Sequence, residues 1–311
     1  MLLALLLLLP SGPSVPSGHL VLEASSPQKT VVLGEPIKLV VRWRAVDGPV
    51  NALIDDDFTH SQHVGFRIED STGSRTYGEE RRGHSEMEVL TPIAPERDHV
   101  SNLVLAYGLD NEEGERLVVP CKRVGPCSIR LIYVEHSQEI ATSNLVRFAV
   151  GTPTGEDQVV LDAIKREIGI LQCRYPGGPA KAKALLARFP HSPHLRWAAI
   201  SCLQNDRDIF YASHQDPETG EMLGKLPEPE RTARAQAAVR NLRDKIVGLG
   251  DLGPFEVERL DLAVALATLA SGGDDDLTRT LRKELLSRFP DSEAATKMRK
   301  QEEEDGNDGK E

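Results

Sequence analysis

Gly151-Thr152-Pro153-Thr154-Gly155 is the stretch that decides the fold, because the spacing of apolar residues changes across it. Before it, apolar and polar residues alternate, as in Ile37-Lys38-Leu39-Val40-Val41-Arg42-Trp43-Arg44, which is the period of a strand with one buried face. After it, apolar residues recur every three or four positions, as at Val160, Ile164 and Ile168. The sequence therefore predicts an all-β domain followed by an all-α domain.

The same patterns set the expected domain bounds. Short alternating segments separated by turn residues predict an antiparallel β-sandwich over residues 19–150. Residues 151–155 form the linker, and residues 156–300 are expected to form an array of α-helical hairpins with short loops. Residues 301–311 are acidic and contain no apolar residue, which predicts a disordered tail.

The overall composition fits a folded protein that does not bind nucleic acid. The chain has 311 residues and is 40% hydrophobic, which is enough for two packed cores. Its formal net charge is -11, and no basic stripe or basic amphipathic helix interrupts this acidic balance. These features exclude the usual surfaces for nucleic acids and for anionic membranes.

The first 18 residues have the pattern of a secretory signal peptide. Leu2–Leu9 is apolar, and a stretch rich in small residues follows it, with cleavage expected after Ser17. This apolar segment is far shorter than the ~20 residues that span a bilayer, and no later segment could span one. We therefore expect a periplasmic or secreted protein with no membrane span after signal cleavage.

Four cysteines form two candidate disulfide pairs. Cys121 and Cys127 lie in one predicted loop, while Cys173 and Cys202 lie on two predicted helices. In an oxidising compartment each pair could form a bridge, with four buried thiols as the alternative. Their spacing does not match that of a zinc site.

The first domain resembles bacterial extracellular immunoglobulin-like domains. The resemblance rests on Leu33–Val41 as an early core strand, and on Ser128–Tyr133 followed by Ser143–Val150 as the last two strands. The family implies a β-sandwich that serves as a spacer or a binding module.

Two stretches of the second domain repeat one another. Leu185-Leu186-Ala187-Arg188-Phe189-Pro190-His191-Ser192 matches Leu285-Leu286-Ser287-Arg288-Phe289-Pro290-Asp291-Ser292. Leu and Phe would face the next helix, Pro would end the first helix, and Ser would cap the second. The motif resembles the junctions of tetratricopeptide-like repeats in bacterial envelope proteins, which implies stacked hairpins with a concave protein-binding side. A compact bundle is the alternative.

Several local patterns could suggest chemistry. Gly248–Gly253 matches a dinucleotide fingerprint but follows a predicted helix, so we interpret it as a loop between helices. His191 and His194 flank a predicted turn and cap, and His84 lies beside Ser85 in a predicted loop. One acidic and histidine-containing segment could hold a divalent cation, although a solvated loop is favoured. Its candidate ligands are Asp55, Asp56, Asp57, His60 and His63.

No local motif commits the chain to a reaction or a cofactor. We therefore predict a non-catalytic protein-protein interaction or scaffold protein of the bacterial cell envelope, with a protein partner whose identity the sequence does not give. A predicted loop over residues 206–226 offers Phe210, Tyr211 and Met222 as partner contacts. The alternatives are a metal-dependent envelope hydrolase and a proteinase-inhibitor-like β-sandwich.

Overall fold

The computed structural model describes residues 18–54, 63–77, 90–106, 109–110, 116–117, 121–135, 138–166, 178–213, 222–271 and 276–308. Within these residues the first half of the chain forms strands and the second half forms helices, as the sequence predicts. We call residues 18–151 the β half and residues 152–308 the helical half.

The β half contains thirteen strands within the described residues. They are β1 (His19–Ser25), β2 (Thr30–Val32), β3 (Ile37–Val46), β4 (Val50–Leu53), β5 (Val64–Asp70), β6 (Gly73–Tyr77), β7 (Leu90–Ile93), β8 (His99–Leu105), β9 (Leu109–Asp110), β10 (Arg116–Leu117), β11 (Gly125–Glu135), β12 (Gln138–Thr142) and β13 (Val146–Gly151).

These strands form two main sheets and two small pairs. The smaller main sheet has the order β1-β3-β8, and the larger has the order β2-β13-β11-β5-β6, with β12 also paired to β11. Strand β4 pairs with β7, and β9 pairs with β10. The expectation of purely antiparallel pairing is wrong at one place, because β2 runs parallel to β13.

Both main sheets contribute side chains to one hydrophobic core. Trp43 of β3 is fully buried and meets Tyr133 of β11 edge to face, with ring centroids 5.6 Å apart. The indole N–H of Trp43 donates to Ser101 Oγ over 2.8 Å, so the one polar atom of this ring is satisfied. The predicted core position of Trp43 is confirmed.

The helical half contains seven helices within the described residues. They are α1 (Glu156–Arg166), α2 (Gly178–Arg188), α3 (Arg196–Ser213), α4 (Glu228–Gly248), α5 (Glu256–Ser271), α6 (Asp276–Arg288) and α7 (Glu293–Asp308). No described helix is long and apolar enough to cross a membrane.

The helices pack in two main clusters. Helices α1, α2 and α3, with the turn before α3, bury a first cluster around Val160, Ala182 and Leu195. Helices α4 to α7 bury a second cluster around Leu242 and Leu266. The turn before α5 brings Leu252 and Phe255 against α3, which connects the two groups. The helical half is therefore a continuous packed body.

The two repeated stretches have the same backbone geometry. Phe189 N donates to Leu185 O and Ser192 N to Phe189 O, and Phe289 N and Ser292 N make the equivalent bonds to Leu285 O and Phe289 O. The guanidinium of Arg188 lies 4.9 Å from the Phe189 ring centre, and that of Arg288 lies 5.1 Å from the Phe289 ring centre. One local structure therefore occurs twice.

Two helices are longer than the sequence suggested. Helix α3 was expected to end near residue 205 but continues to Ser213. Phe210 and Tyr211 therefore belong to this helix and not to a loop. Helix α7 continues to Asp308, where residues 301–311 were expected to be a disordered tail. Gln301 and Glu302 are good helix formers, and they extend a helix that packing has already started.

The first candidate disulfide is present. Cys121 and Cys127 are buried, and their sulfur atoms are bonded at 2.17 Å. Cys202 is buried on α3. Cys173 lies outside the described residues, as do the signal peptide residues 1–17.

Candidate functional site between the two halves

The turn between β2 and β3 is one of the parts of the β half that contact the helices, and buried side chains fix its shape. Gln28 Nε2 donates to Glu35 Oε1 over 3.1 Å, and Gln28 Oε1 accepts from the backbone of Lys38 over 2.8 Å. Glu35 Oε2 accepts from the backbone of Val32 over 2.9 Å. Gly34 has a φ of 86°, a conformation that favours glycine. We call Leu33–Lys38 the seat.

Three polar contacts join the seat to the helical half. Lys38 Nζ lies 2.6 Å and 2.8 Å from the two carboxylate oxygens of Glu258 on α5. Leu33 O accepts from the ring of His194, and Glu35 Oε1 lies 3.5 Å from Arg196 Nη1. The Lys38 side chain is only 4% exposed, although strand alternation placed it on the solvent face. The helical half covers it, so the expectation for this residue is wrong.

His194 is the fully buried polar group of this interface. Its Nε2 lies 2.9 Å from Leu33 O, which fixes the tautomer with the proton on Nε2, because a carbonyl only accepts. Burial lowers the pKa of His194, while the bond to Leu33 and the charge of Asp157 act in the opposite direction. The ring is therefore neutral at pH 7.

Ser192, His194 and Asp157 lie close together, and their hydrogen bonds decide what they can do. Ser192 Oγ donates to Asp157 Oδ1 over 2.9 Å and lies 3.5 Å from His194 Nδ1. In a catalytic triad the histidine accepts the serine proton and the aspartate orients the histidine. Here the serine proton goes to the aspartate and the histidine proton to a backbone carbonyl, so these side chains do not have the hydrogen bonds of a triad.

Apolar contacts complete this interface between the β half and the helical half, which we call the joint. Val104 and Ala106, at the end of β8, pack against buried residues of the helical half. Trp197 of α3 and Phe255 meet at a tilted angle of 44°, with ring centroids 5.6 Å apart, beside Val104. The amino-terminal ends of α3 and α5 therefore lie against the β half.

A cleft of about 500 Å³ lies on one side of this joint. Its walls come from the ends of β4, β7 and β8 in the β half and from α7 with the turn before it. The lining residues are Pro49, Pro92, Ile93, Ala94, Arg97, Asp98, His99, Val100, Asp291, Glu293, Thr296, Lys297 and Lys300. Proline and aliphatic side chains form the β-half wall, and charged side chains surround them.

Asp98 lies at the rim of the cleft, and its negative charge is neutralised by two arginines that do not line the cleft. Its carboxylate accepts from Arg44 Nε over 2.9 Å and Arg44 Nη2 over 3.0 Å, and from Arg42 Nη1 over 3.1 Å. These bonds, with that of Arg44 first, hold the pKa of Asp98 below its usual range. The negative charge of Asp98 is therefore already compensated by Arg42 and Arg44.

The far end of the helical half carries exposed apolar side chains. Helix α4 ends shortly before α5 begins at the joint, so the start of α4 lies at the other end of a helix about 31 Å long, at 1.5 Å per residue for its 21 residues. Met222 precedes α4 and is 53% exposed, and Leu269 near the end of α5 is 54% exposed. Phe210 and Tyr211 belong to the last turns of α3, but the structure does not describe their side chains.

The other predicted site residues fall into three groups. Asp55, Asp56, Asp57, His60 and His84 lie outside the described residues. His63 is described, and its Nδ1 lies 3.1 Å from Val134 O, which places it in the β half as a backbone contact. Within the described residues no group of three or more His, Cys, Asp or Glu side chains could hold a metal ion. Gly248–Gly253 spans the end of α4 and the turn before α5, as we interpreted it.

Comparisons with known proteins assign no family to the chain. No known family model and no curated protein matches its sequence. One solved structure is similar over 43% of this chain and 16% of its own, with 12% identity and a TM-score of 0.26. It is a beta-glucosidase from Listeria innocua in complex with glucose. A likeness this weak carries no argument about fold or activity.

Proposed function

We propose that this chain is an exported, non-catalytic interaction protein in which tetratricopeptide-like helical hairpins bind another protein. In this proposal an immunoglobulin-like β-sandwich holds the hairpins in place. The single observation that carries it is the duplicated junction at Phe189–Ser192 and Phe289–Ser292, with matching hydrogen bonds and matching Arg-Phe stacking. Repeated helix pairs of this kind stack into extended surfaces, and such surfaces bind proteins.

The contacts between the two halves support a scaffold role. Buried contacts from the seat reach α3 and α5, so the orientation of the helices follows that of the β half. A buried charge that loses its partner is costly, which favours one relative orientation of the two halves. The helical surface is thereby presented in a fixed direction, as a scaffold needs.

The exposed apolar side chains at the far end support a partner surface there. Met222 and Leu269 are each more than half exposed, and they lie on the side of the helical half remote from the joint. Large exposed apolar side chains that occur together mark interaction surfaces more often than isolated ones do. The Cys121–Cys127 bridge fits an oxidising compartment such as the periplasm.

The experiment that tests the proposal is site-specific photocrosslinking in intact cells. The photoreactive residue p-benzoylphenylalanine replaces Met222 or Leu269 in the full chain, and crosslinked products are identified by mass spectrometry. Matched controls carry the same residue at Val21 and Val124, which are 40% and 46% exposed in the β half. We expect one discrete heterologous adduct from both helical positions and none from the controls. Equal adducts from all four positions, or none from any, would contradict the proposal.

A further inference from the structure

The cleft between the β half and α7 has the size and the apolar wall of a small-molecule site. Ligand pockets measure roughly 300–1,000 Å³ and combine apolar walls with a few polar groups. The cleft measures about 500 Å³, and Pro92, Ile93 and Val100 supply its apolar wall. Ile93 is also part of the core of the β half, so the core supports this wall from behind.

The charged side chains that line the cleft balance one another, and most of them are already engaged. Three are Lys or Arg and three are Asp or Glu. Asp98 is compensated by two arginines that do not line the cleft, and Lys297 Nζ lies 2.5 Å from Glu293 Oε1. Lys300 also has an interaction within the chain. An occupant of the cleft therefore has to be recognised by the two remaining charges.

These two charges have opposite signs and belong to different halves of the molecule. Arg97 is exposed on the β-half wall, in a turn where its backbone N donates to Ala94 O over 3.1 Å. Asp291 is exposed on the helical wall, in the junction between α6 and α7. Neither side chain has an ion pair among the described residues. The equivalent position of the other junction is His191, so the fold of the junction does not need a carboxylate there.

One guanidinium and one carboxylate on facing walls fit a zwitterion whose two charged groups lie several ångströms apart. A volume of about 500 Å³ corresponds to a width of about 8 Å in each direction, and two extended residues span about 7 Å. A guanidinium binds a carboxylate through two parallel hydrogen bonds, and an aspartate accepts charge-assisted hydrogen bonds from an ammonium group. A dipeptide with free ends carries both groups at about this separation.

A further wall residue lacks a polar partner that a peptide bond can supply. The Nε2 atom of His99 is enclosed and has no hydrogen-bond partner within the described part of the chain. Buried ring nitrogens are normally satisfied. A turn of the His99 ring toward the cleft would bring this nitrogen to the amide group of a bound peptide.

We propose that this cleft binds a dipeptide with free ends and apolar side chains. The carboxylate of the dipeptide meets Arg97, its ammonium group meets Asp291, and its side chains lie on the apolar wall. The site is separate from the exposed apolar surface at the far end of the helical half, so it does not depend on the proposed protein partner.

Three related peptides test the proposal by isothermal titration calorimetry on the chain of residues 18–311. Leu-Leu has both charged ends, N-acetyl-Leu-Leu lacks the ammonium group, and Leu-Leu amide lacks the carboxylate. We expect one Leu-Leu per protein, with affinity about tenfold lower for each blocked peptide, the ratio for one lost charge-assisted hydrogen bond.

Two variants assign each charge of the peptide to its partner. Arg97→Gln should weaken Leu-Leu and N-acetyl-Leu-Leu about tenfold. It should change the affinity for Leu-Leu amide less than about twofold, because that peptide has no carboxylate to lose. Asp291→Asn should show the reverse pattern, with Leu-Leu and the amide weakened and the acetylated peptide unchanged.

Two further variants separate this cleft from other surfaces. Thr296→Trp places an indole at the cleft from an exposed position on α7 and should weaken all three peptides. Arg147→Gln removes an exposed arginine from β13, outside the cleft, and should leave all three unchanged. Thermal unfolding of each variant checks that it is folded.

The pairing of variants with peptides decides the outcome. Absence of saturable Leu-Leu binding would overturn the proposal. So would equal affinity for the three peptides, or losses in Arg97→Gln and Asp291→Asn that are the same for all three. The crossed pattern of losses would support it, because it requires the two ends of one peptide to meet the two walls of the cleft.

Discussion

Asp70 shows how one carboxylate organises its surroundings. Its side chain is 1% exposed, and it accepts from Arg75 Nη2 over 2.7 Å, from Thr72 N over 2.8 Å and from Lys122 N over 3.3 Å. Burial alone would raise the pKa of Asp70, but these hydrogen bonds outweigh it and hold the pKa well below its usual range. The ionised carboxylate thus connects the β5–β6 turn to the disulfide loop.

Asp70→Asn should lower the free energy of unfolding by about 2 kcal/mol at pH 7, because Arg75 then loses its ionised partner. The pKa of Asp70 is lowered in the folded state. Its contribution is therefore present above the unfolded value of about 3.9 and is lost as the pH falls below it. Urea unfolding at pH 7 measures the effect. The control is Glu69→Gln at the exposed neighbouring position, which should change stability by less than about 0.5 kcal/mol. Equal losses in both variants would contradict this role.

Single residues also show where sequence reasoning succeeds and where it stops. Alternation placed Trp43 in the core correctly, because burial in a strand follows a local period. The same period predicted that Lys38 is exposed to solvent, which is wrong. Its partner Glu258 is 220 residues away, and no local pattern records that contact. The cleft was missed for the same reason, since its walls come from distant parts of the chain.

At the scale of elements, the two repeated junctions differ in the hydrogen bonds of their serine side chains. Ser292 Oγ accepts from Ala295 N over 3.1 Å, which is the predicted cap of α7. Ser192 makes no such cap, and its hydroxyl donates to Asp157 on α1. One serine therefore stabilises the start of its own helix, and the other connects two helices beside the joint.

Ser292→Ala should lower the free energy of unfolding by about 1 kcal/mol, because Ala295 N loses its acceptor. Chemical denaturation with the circular dichroism signal of the helices measures the loss. Ser287→Ala is the matched control, because Ser287 is exposed within α6 and donates only to Glu284 O. A loss as large in Ser287→Ala as in Ser292→Ala would show that the cap contributes nothing specific.

Element bounds were predictable where pattern and packing agree. Strand β3 spans Ile37–Val46 as alternation predicts. Short or weakly alternating strands such as β4, β7 and β12 were not predicted. Strands β4 and β7 pair with each other although they are distant in the sequence, and this pairing stabilises their extended backbone.

At the scale of the whole molecule, His194 makes the joint sensitive to pH. The ring lies in the helical half and donates to a carbonyl of the β half, with Ser192, Asp157, Glu35 and Lys165 as the polar or charged groups around it. Its pKa is lowered in the folded state. The unfolded chain therefore binds the proton first, and stability falls as the pH drops below about 6.5.

The free energy of unfolding should therefore decrease between pH 7 and pH 5, and His194→Gln should reduce that decrease by removing the titrating ring. Urea unfolding of the wild type and of His194→Gln at pH 7 and at pH 5 measures this decrease. His191→Gln changes an exposed histidine three residues earlier in the same turn region and should keep the full decrease. If His194→Gln and wild type lose the same free energy, the pH sensitivity lies elsewhere.

The joint also fixes an order of events during synthesis. Glu258 follows Lys38 by 220 residues, and His194 follows Leu33 by 161. At roughly 5–20 residues per second, about 10–40 s pass between the synthesis of Lys38 and that of Glu258. All strands of the β half have been synthesised once β13 ends at Gly151, before any of the helical residues that cover the seat. A chain truncated before Glu258 would therefore leave the ammonium group of Lys38 without its carboxylate.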